Sequence, residues 1–419
     1  MKQAVQSNRV AVVRQPAEYD EALVKESVHH ALASLGVVWR ELVRPGERVL
    51  LKPNFIRESH TARPNEWEQI ITHGAVITAV AEAVAEAMEG QGTITIADAP
   101  QTDSDFDRIC ERAGLAKLRR RLSGIQLEIM DLRREAWRTE RGVIVERRKL
   151  PEDPRGYALV DLASQSCFAG KQGRFYGADY DTAFTAKHHT NGRHEYLLSR
   201  SAMDADVFIN LPKLKTHKKV GVTLSLKNLV GINGDKNYLP HFCIGTPDEG
   251  GDEFPDDSVR NKVQSMLVKA LKGGPWWRPA VKRVGSKIFG DTSEVVRSGN
   301  WHGNDTAWRM VLDLNRALLL RPNAPRYLTI VDGIIAGEGN GPMEADAKPC
   351  GVLIAGTNPV AADFVAVKLM GFDWRKIPTI REGFRLFGSS PGDVEVVPEL
   401  GETFRLKPHF GWLGHIEAT

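Results

Sequence analysis

The sequence predicts an α/β protein with a mostly parallel, mixed Rossmann-like sheet flanked by helices. Short apolar runs bounded by polar or turn residues alternate with helical patterns, as they do in βαβ units. Runs such as VFINL and YLTIV lack strict alternation of apolar and polar residues, which is typical of strands covered on both faces. Residues 74–90 are alanine-rich, with apolar residues at helical spacing, and lie between two of the runs. That order predicts parallel pairing.

Six runs are predicted as core strands: RVAVV, RVLLKPNF, GTITIADAPQ, ADVFINLPKLKTH, YLTIVDGIIAG and GVLIAGTNPV. After the sixth run, Thr357 or Asn358 can cap a helix that has Pro359 in its first position, where a missing N–H costs nothing. The segment GVTLSLKNLVG also has helical spacing. We expect the start of that helix to offer backbone N–H groups to an anion.

Two insertions are expected to interrupt the α/β core. Residues 110–200 carry basic runs, short strand patterns and histidines, and predict a β-rich lobe, whereas residues 259–320 predict a basic helical insertion. The core itself is expected to comprise 1–109, 201–258 with a lysine-rich segment, and 321–419 with a C-terminal tail.

The composition argues against several classes of protein. The chain has 419 residues, 42% hydrophobic and 26% charged, which is ordinary for a globular protein with a large core. A net charge of +3 is too small to indicate nucleic-acid binding. The four cysteines lack CxxC spacing, so no iron–sulfur cluster is expected. There is no signal-peptide pattern and no run of about 20 apolar residues, which favours a cytoplasmic location.

Polar residues stand where the predicted strands end, and ligands of open α/β sheets bind outside those carboxyl ends. The fourth strand leads into residues 211–237, LPKLKTHKKVGVTLSLKNLVGINGDKN, which contain six lysines and no arginine. Alternation along a strand places Lys213, Lys215, His217 and Lys219 on one face. Such a row suits phosphate or carboxylate, and a buried lysine can also transfer protons. The alternative is a lysine-rich edge that discourages strand pairing.

We therefore predict two sets of residues for this site. The predicted catalytic residues are Lys213, Lys215, His217 and Asp332. The predicted substrate- or anion-binding residues are Lys52, Asn54, Lys219, Lys227, Asn228, Asn233, Lys236, Gly339 and Gly341. The last two belong to GEGNGP, a glycine-rich stretch similar to phosphate-binding loops, although it lacks the GxGxxG spacing.

Metal binding is the other chemistry that the residues allow. Asn191-Gly192 favours a hairpin over 185–198 that sets His189 opposite His194, and imidazoles bind borderline metals. Asp98, Asp332 and Asp363 could instead hold a harder cation at the sheet edge. The predicted ligands of a divalent ion of unknown identity are Asp98, His189, His194 and Asp363. A solvated histidine-rich hairpin is the alternative.

A basic patch spans residues 261–290, with seven Lys or Arg, no Asp or Glu, and the pair Trp276 and Trp277. Basic segments that carry tryptophan lie well on anionic membrane surfaces. The patch therefore predicts a peripheral contact with the inner face of the membrane. The alternative is a pair of helices that pack on the core with basic outer faces.

At these motifs the sequence resembles the bacterial and archaeal family called domain of unknown function 362. The segments that carry the resemblance are VLLKPNF, INLPKLKTHKKVGVTLSLKNLVGINGDKN and VDGIIAGEGNGP…GVLIAGTNPVAADFVAVKLMG, within 49–372. The resemblance implies an α/β fold, distantly similar to part of the lactate racemase-like proteins. Many members carry a ferredoxin-type CxxCxxCxxxCP insertion, which is absent here. Segments such as GDKNYLPH resemble members found beside polysaccharide-assembly genes.

Three functions follow as hypotheses. The first is an enzyme acting on an anionic sugar or lipid intermediate, phosphorylated or nucleotide-linked, with a divalent metal and a place in polysaccharide biosynthesis. The second is a non-catalytic, membrane-peripheral assembly factor. The third is a metal-dependent redox enzyme or isomerase centred on His189, His194 and Asp332.

Overall fold

The computed structural model describes residues 7–122, 124–140, 143–177, 181–271 and 296–418. Its strands are β1 Arg9–Arg14, β2 Arg48–Pro53, β3 Thr93–Asp98, β4 Gln126–Asp131, β5 Glu135–Glu140, β6 Val143–Lys149, β7 Tyr157–Asp161, β8 Phe175–Tyr176, β9 Glu195–Ser199, β10 Val207–Leu211, β11 Lys213–His217, β12 Gly221–Thr223, β13 Phe242–Cys243, β14 Arg326–Asn340, β15 Glu344–Gly356 and β16 Glu395–Val397.

The α-helices between these strands are mostly short. They are α1 Glu21–Leu35, α2 Trp39–Leu42, α3 Gly74–Ala87, α4 Phe106–Arg112, α5 Leu115–Arg121, α6 Thr182–His188, α7 Arg200–Met203, α8 Ser225–Asn228, α9 Val259–Leu271, α10 Ala307–Leu319, α11 Pro359–Leu369 and α12 Pro378–Phe387. None of the helices within the described ranges is both long and apolar enough to cross a membrane.

A large mixed sheet forms the centre of the protein, in the order β16-β1-β15-β14-β10-β2-β3-β4. The strands from β14 to β4 pair in parallel, while β15 is antiparallel to both β14 and β1. The predicted α/β class with a mostly parallel sheet is therefore confirmed. The antiparallel pair β14–β15 makes the sheet mixed.

Alternation along the strands divides the core into two layers. Val10 and Val12 belong to the apolar cluster under α10 and α11, whereas Ala11 and Val13 belong to the cluster under α1 and α3. Successive side chains of a strand point to opposite faces, so a run of apolar residues supplies both layers. The continuous apolar runs in the sequence have this physical cause.

The helix predicted after the sixth strand is confirmed, with the expected cap. The Asn358 side chain accepts a hydrogen bond from Val360 N–H, and Pro359 is the first residue of α11. Helix α1 begins after Asp20, whose carboxylate accepts from Leu23 N–H, and ends at Gly36 in the left-handed conformation. The structure also places a helix, α3, within the alanine-rich residues 74–90.

Three local predictions were wrong. Proline 212 divides the fourth predicted strand into β10, which pairs with β2, and β11, which pairs with the far half of β14. The glycine-rich GEGNGP is not a loop, because β14 continues to Asn340 and pairs with β15 along that length. The segment GVTLSLKNLVG forms β12 and only one turn of helix, α8, followed by a 3-10 turn.

Small two-stranded ladders lie outside the main sheet. They pair β5 with β6, β7 with β9, and β8 with β13. Strand β4 joins the edge of the main sheet, although it lies within the range predicted for the inserted lobe. Most of the predicted basic patch at 261–290, including Trp276 and Trp277, lies outside the described residues.

Candidate functional site

The ends of β2 and β3 are joined by a buried ion pair. Lys52 Nζ lies 2.8 Å from Asp98 Oδ1, and neither side chain is more than 4% exposed. The other carboxylate oxygen accepts a 2.7 Å bond from Phe55 N–H. Gly231 packs against this pair so closely that a Cβ there would lie 1.8 Å from Asp98 Oδ1. Two predicted residues are thus brought together and held by backbone on both sides.

A second buried pair lies where β11 meets β14. Lys213 Nζ is 2.9 Å from Asp332 Oδ2 and donates a 2.6 Å bond to the Tyr19 hydroxyl. That hydroxyl donates to Asp332 Oδ1 at 2.8 Å, and His73 N–H donates to Oδ2 at 2.9 Å. Lys213 and Asp332 are completely buried, and each is the ion-pair partner of the other. Their observed contacts are internal to the protein.

Lys215 lies within electrostatic reach of Lys213 and Asp98, and no carboxylate of the described residues forms an ion pair with it. Its side chain is fully buried, and the ammonium donates to the carbonyl of Ile70. Burial, reinforced by the neighbouring charges of Lys213 and Lys227, holds the pKa of Lys215 well below its ordinary range. The alternation predicted for this segment thus brings Lys213 and Lys215 within electrostatic reach of each other.

The asparagines predicted to bind substrate form an internal network. Asn228 Oδ1 accepts a 2.9 Å bond from Asn54 Nδ2, and Asn228 Nδ2 donates to Asn210 Oδ1 at 2.7 Å. Asn233 links other segments, since its Oδ1 accepts from Leu197 N–H and its Nδ2 donates to Asp235 O. The amides of Asn54, Asn210 and Asn228 connect the end of β2 with β10 and α8. Within the part of the chain that the structure describes, the buried Oδ1 atom of Asn54 has no hydrogen-bond partner.

A more open group of basic side chains surrounds Lys227. Lys227, Lys236 and His241 are each partly exposed. Burial, followed by the charges of neighbouring groups such as Lys52, lowers the pKa of Lys227 to about 8 and that of Lys236 to about 7. Burial also lowers the pKa of Lys219 to about 7.

Two imidazoles complete this group. Burial, and then the charge of Lys227, lowers the pKa of His241 to about 3 and holds the pKa of His217 well below its usual range. We call the whole set the lysine cluster; its members are Lys52, Asp98, Lys213, Lys215, His217, Lys219, Lys227, Lys236, His241 and Asp332.

Positive charge exceeds negative charge in the lysine cluster. Among the described residues, two of its lysines form ion pairs, one with Asp98 and one with Asp332. Lys219 donates to the Ser298 carbonyl, and Lys236 donates to the Ala99 carbonyl at 2.7 Å. Burying an ammonium group without a counter-charge is costly, so such groups either lose their proton or take an anion. The cluster is therefore chemically suited to bind an anion.

Two other segments were predicted to bind an anion through backbone N–H groups, but these N–H groups donate to acceptors within the protein. Gly339 N–H donates to Lys407 O, and Gly341 N–H donates to Gly339 O. At the start of α8, the N–H groups of Ser225 and Leu226 donate to the Asp363 carboxylate at 2.7 and 2.8 Å. The expected phosphate loop and helix N-terminus are thus already occupied by protein groups. Burial raises the pKa of Asp363 to about 7.

The four residues predicted to hold a metal do not meet. Asp98 lies with Lys52 and Asp363 with α8, whereas His189 and His194 pack around Phe168. Within the described ranges there is no group of three or more His, Cys, Asp or Glu side chains placed to hold a metal ion.

The predicted histidine hairpin is a helix, a turn and a strand. Residues Thr182–His188 form α6, because Asp181 caps its first turn, and β9 starts only at Glu195. The turn itself is as expected, with positive φ at both Asn191 and Gly192. The ring centroids of His189 and His194 are 5.9 Å apart. The close approach of these two rings agrees with the prediction, whereas the predicted strand before the turn is a helix.

Sequence reasoning missed three members or neighbours of the site. Tyr19 lies before α1, and nothing local distinguishes it. Asn210 reads as an ordinary residue of a buried strand. His241 could have been found, because it follows the GDKN loop by four residues.

The fold and this site define an α/β protein with a buried, cation-rich cluster at the carboxyl ends of its central strands. The chain belongs to the family described as Domain of unknown function (DUF362), which it matches over residues 49–155 and 165–368. These ranges contain every member of the lysine cluster.

One relative is a thylakoid-associated protein of Synechocystis sp. It is 26% identical over 378 residues, which cover 90% of this chain and 79% of the relative. A solved Thermotoga maritima protein aligns with 84% of this chain at 12% identity and a TM-score of 0.38. The lactate racemase apoprotein of Thermoanaerobacterium thermosaccharolyticum aligns with 87% at 10% identity and a TM-score of 0.35. The chain spans 59% and 58% of those two structures' lengths.

Proposed function

We propose that this protein is an enzyme that acts on an anionic small molecule, a phosphorylated or nucleotide-linked sugar or lipid intermediate. The observation that carries the proposal is the excess of buried lysines over carboxylates in the lysine cluster. A phosphate group would supply the missing negative charge through short, charge-assisted hydrogen bonds. The partly exposed Lys227, Lys236 and His241 provide the contact with solvent through which such a group could bind.

The roles within the cluster follow from burial. Lys213 and Asp332 are fully buried and paired, so we assign them to holding β11 against β14. Lys52 and Asp98 likewise hold β2 and β3 together. Anion binding is assigned instead to the partly exposed Lys227 and Lys236, supported by the more deeply buried Lys219 and His217. The surrounding cations would supply electrostatic stabilisation to negative charge that develops on a bound substrate.

Calorimetry with inorganic phosphate tests the proposal. Binding should be accompanied by proton uptake, because a bound anion raises the pKa values of Lys227 and Lys236 from about 8 and about 7. Titrations at pH 8 in two buffers of different ionisation enthalpy measure that uptake.

Variants assign the binding to the cluster. Lys227→Met and Lys236→Met should each weaken phosphate binding by about 10-fold or more, since a charge-assisted hydrogen bond contributes roughly 1.5–3 kcal/mol. Lys187→Met, on the exposed side of α6, is the matched control and should bind like the parent. Unchanged affinity in both cluster variants would rule the proposal out.

A peripheral membrane role is the second candidate, and one structural observation favours it. Val259, Val263 and Met266 of α9 are 79%, 46% and 65% exposed, and their spacing places them on one helix face. The thylakoid-associated relative agrees with such a role. Co-sedimentation with anionic liposomes tests it. Binding should be lost when these three residues are replaced by serine, and a protein that never co-sediments would exclude the role.

A further inference from the structure

One lysine of the cluster differs from the others in its contacts. Among the residues that the structure describes, Lys227 has neither a hydrogen-bond partner nor an ion-pair partner. The groups that receive the other ammonium groups are Asp98 for Lys52, Asp332 for Lys213, the Ile70 carbonyl for Lys215, the Ser298 carbonyl for Lys219 and the Ala99 carbonyl for Lys236. Lys227 is also partly exposed. Its amine is therefore the one best placed to react.

The charges around Lys227 favour its neutral, nucleophilic form. Lys52 on β2 opposes its protonation, and Asp98 on β3 offsets that effect in part. Lys215 on β11 and Lys236 after α8 lie within electrostatic reach as well. A lysine amine becomes a nucleophile when it is desolvated beside another cation. The cluster supplies both conditions.

Two neutral imidazoles near Lys227 have opposite hydrogen-bonding capacities. His217 Nδ1 accepts from Lys219 N–H at 3.0 Å, so its hydrogen is on Nε2. His241 Nδ1 lies 2.8 Å from the Leu239 carbonyl, which only accepts, so the hydrogen is on Nδ1 and Nε2 keeps a lone pair. One ring is thus a proton donor and the other a proton acceptor. Both lie within electrostatic reach of Lys227.

We propose that Lys227 forms a Schiff base with an aldehyde or ketone that also carries a phosphate or carboxylate group. This inference rests on the proposed function, because Lys236 and the other cations of the cluster hold the anionic group while Lys227 meets the carbonyl group. The Lys227 nitrogen attacks the carbonyl carbon, and the carbonyl oxygen leaves as water with the two hydrogens lost from the amine. His241 is assigned to take each proton from nitrogen and pass it to the departing oxygen, which His217 contacts as a hydrogen-bond donor without losing its proton. No oxidant or reductant is needed.

Pyridoxal 5′-phosphate, which combines an aldehyde with a phosphate, is the probe. The protein is mixed with a limiting amount at pH 7.5, reduced with sodium borohydride, digested and mapped by mass spectrometry. Because burial lowers the pKa of Lys227 to about 8, more of its amine is neutral at that pH than in an ordinary exposed lysine. We therefore expect at least about 10-fold more label on Lys227 than on the exposed Lys187. Excess inorganic phosphate should suppress the label on Lys227, and pyridoxal without phosphate should label it less.

Variants separate this inference from the proposed function. Lys227→Arg should abolish label at that position yet keep phosphate affinity within a few-fold, because the charge remains. Lys187→Arg should leave the label on Lys227 unchanged. If phosphate binds but Lys227 is labelled no more than Lys187, the Schiff base is refuted and the proposed function stands. If phosphate does not bind, the proposed function fails. Labelling of Lys227 that phosphate does not suppress would also overturn the inference.

Discussion

The replacement of Asp98 by asparagine tests how strongly the lysine cluster depends on its few carboxylates. Asp98 is the one ion-pair partner that the structure gives Lys52, at 2.8 Å, and it also accepts from Phe55 N–H at 2.7 Å. Asparagine keeps an oxygen for the Phe55 bond, yet it removes the charge that faces Lys52. The pKa of Lys52 is already lowered by burial, and Asp98 is the group that opposes this effect.

The expected cost is about 3–5 kcal/mol in free energy of unfolding, which is the usual result of leaving one member of a buried ion pair without its partner. Addition of Lys52→Met should recover most of this loss, because the double variant leaves no unpaired charge in place of this ion pair. The deficit of Asp98→Asn should also shrink as pH rises from 7 toward 10. The unfolded chain holds the Lys52 proton to higher pH than the folded variant does, so stability rises with pH across that window.

Urea unfolding followed by both tryptophan fluorescence and circular dichroism measures these differences. Arg138→Gln is a suitable control, since Arg138 forms exposed ion pairs at 58% exposure, which contribute little. The argument is refuted if Asp98→Asn costs less than about 1 kcal/mol at pH 7, or if the double variant is no more stable than the single one.

Three further predictions follow from the same contacts. Gly231→Ala should lower stability by about 2 kcal/mol or more, measured by urea unfolding, because its Cβ would lie 1.8 Å from Asp98 Oδ1; an unchanged midpoint contradicts this. Asp363→Ala should cost about 2–4 kcal/mol by leaving two buried N–H groups of α8 without acceptors, whereas Asp363→Asn should cost less. Burial lowers the pKa of His189 and His241 to about 3, so their contribution to stability is complete above pH 6.5 and is lost as pH falls toward 3. Urea unfolding midpoints at pH 7 and pH 5 check this, and His189→Asn should reduce the difference between the two midpoints.

The residues that end each strand could be predicted because two local rules sufficed. Apolar runs marked the strands. Because ligands of open α/β sheets bind outside the carboxyl ends of the strands, the residues that follow each run were the candidates. Lys52, Asp98 and Lys213 were found in this way. The helix cap at Asn358 followed from equally local chemistry.

Other features could not be predicted because their causes are not local. The strand at Gly339 exists because β15 returns antiparallel beside it, and this return overrides the glycine pattern of a loop. The helix before His189 begins because Asp181 caps it, and the Asn191-Gly192 turn signal does not specify whether a strand precedes it.

The sequence by itself determined the α/β class, the positions of the core strands and the presence of lysines at their carboxyl ends. These depend on period, composition and residue type over short stretches of chain. Only the tertiary structure decided which lysines are paired, because Asp332 and Tyr19 reach Lys213 from segments 119 and 194 residues away. Ion pairing and burial are properties of contacts between distant segments. For that reason the structure, and not the run of lysines, singles out Lys227.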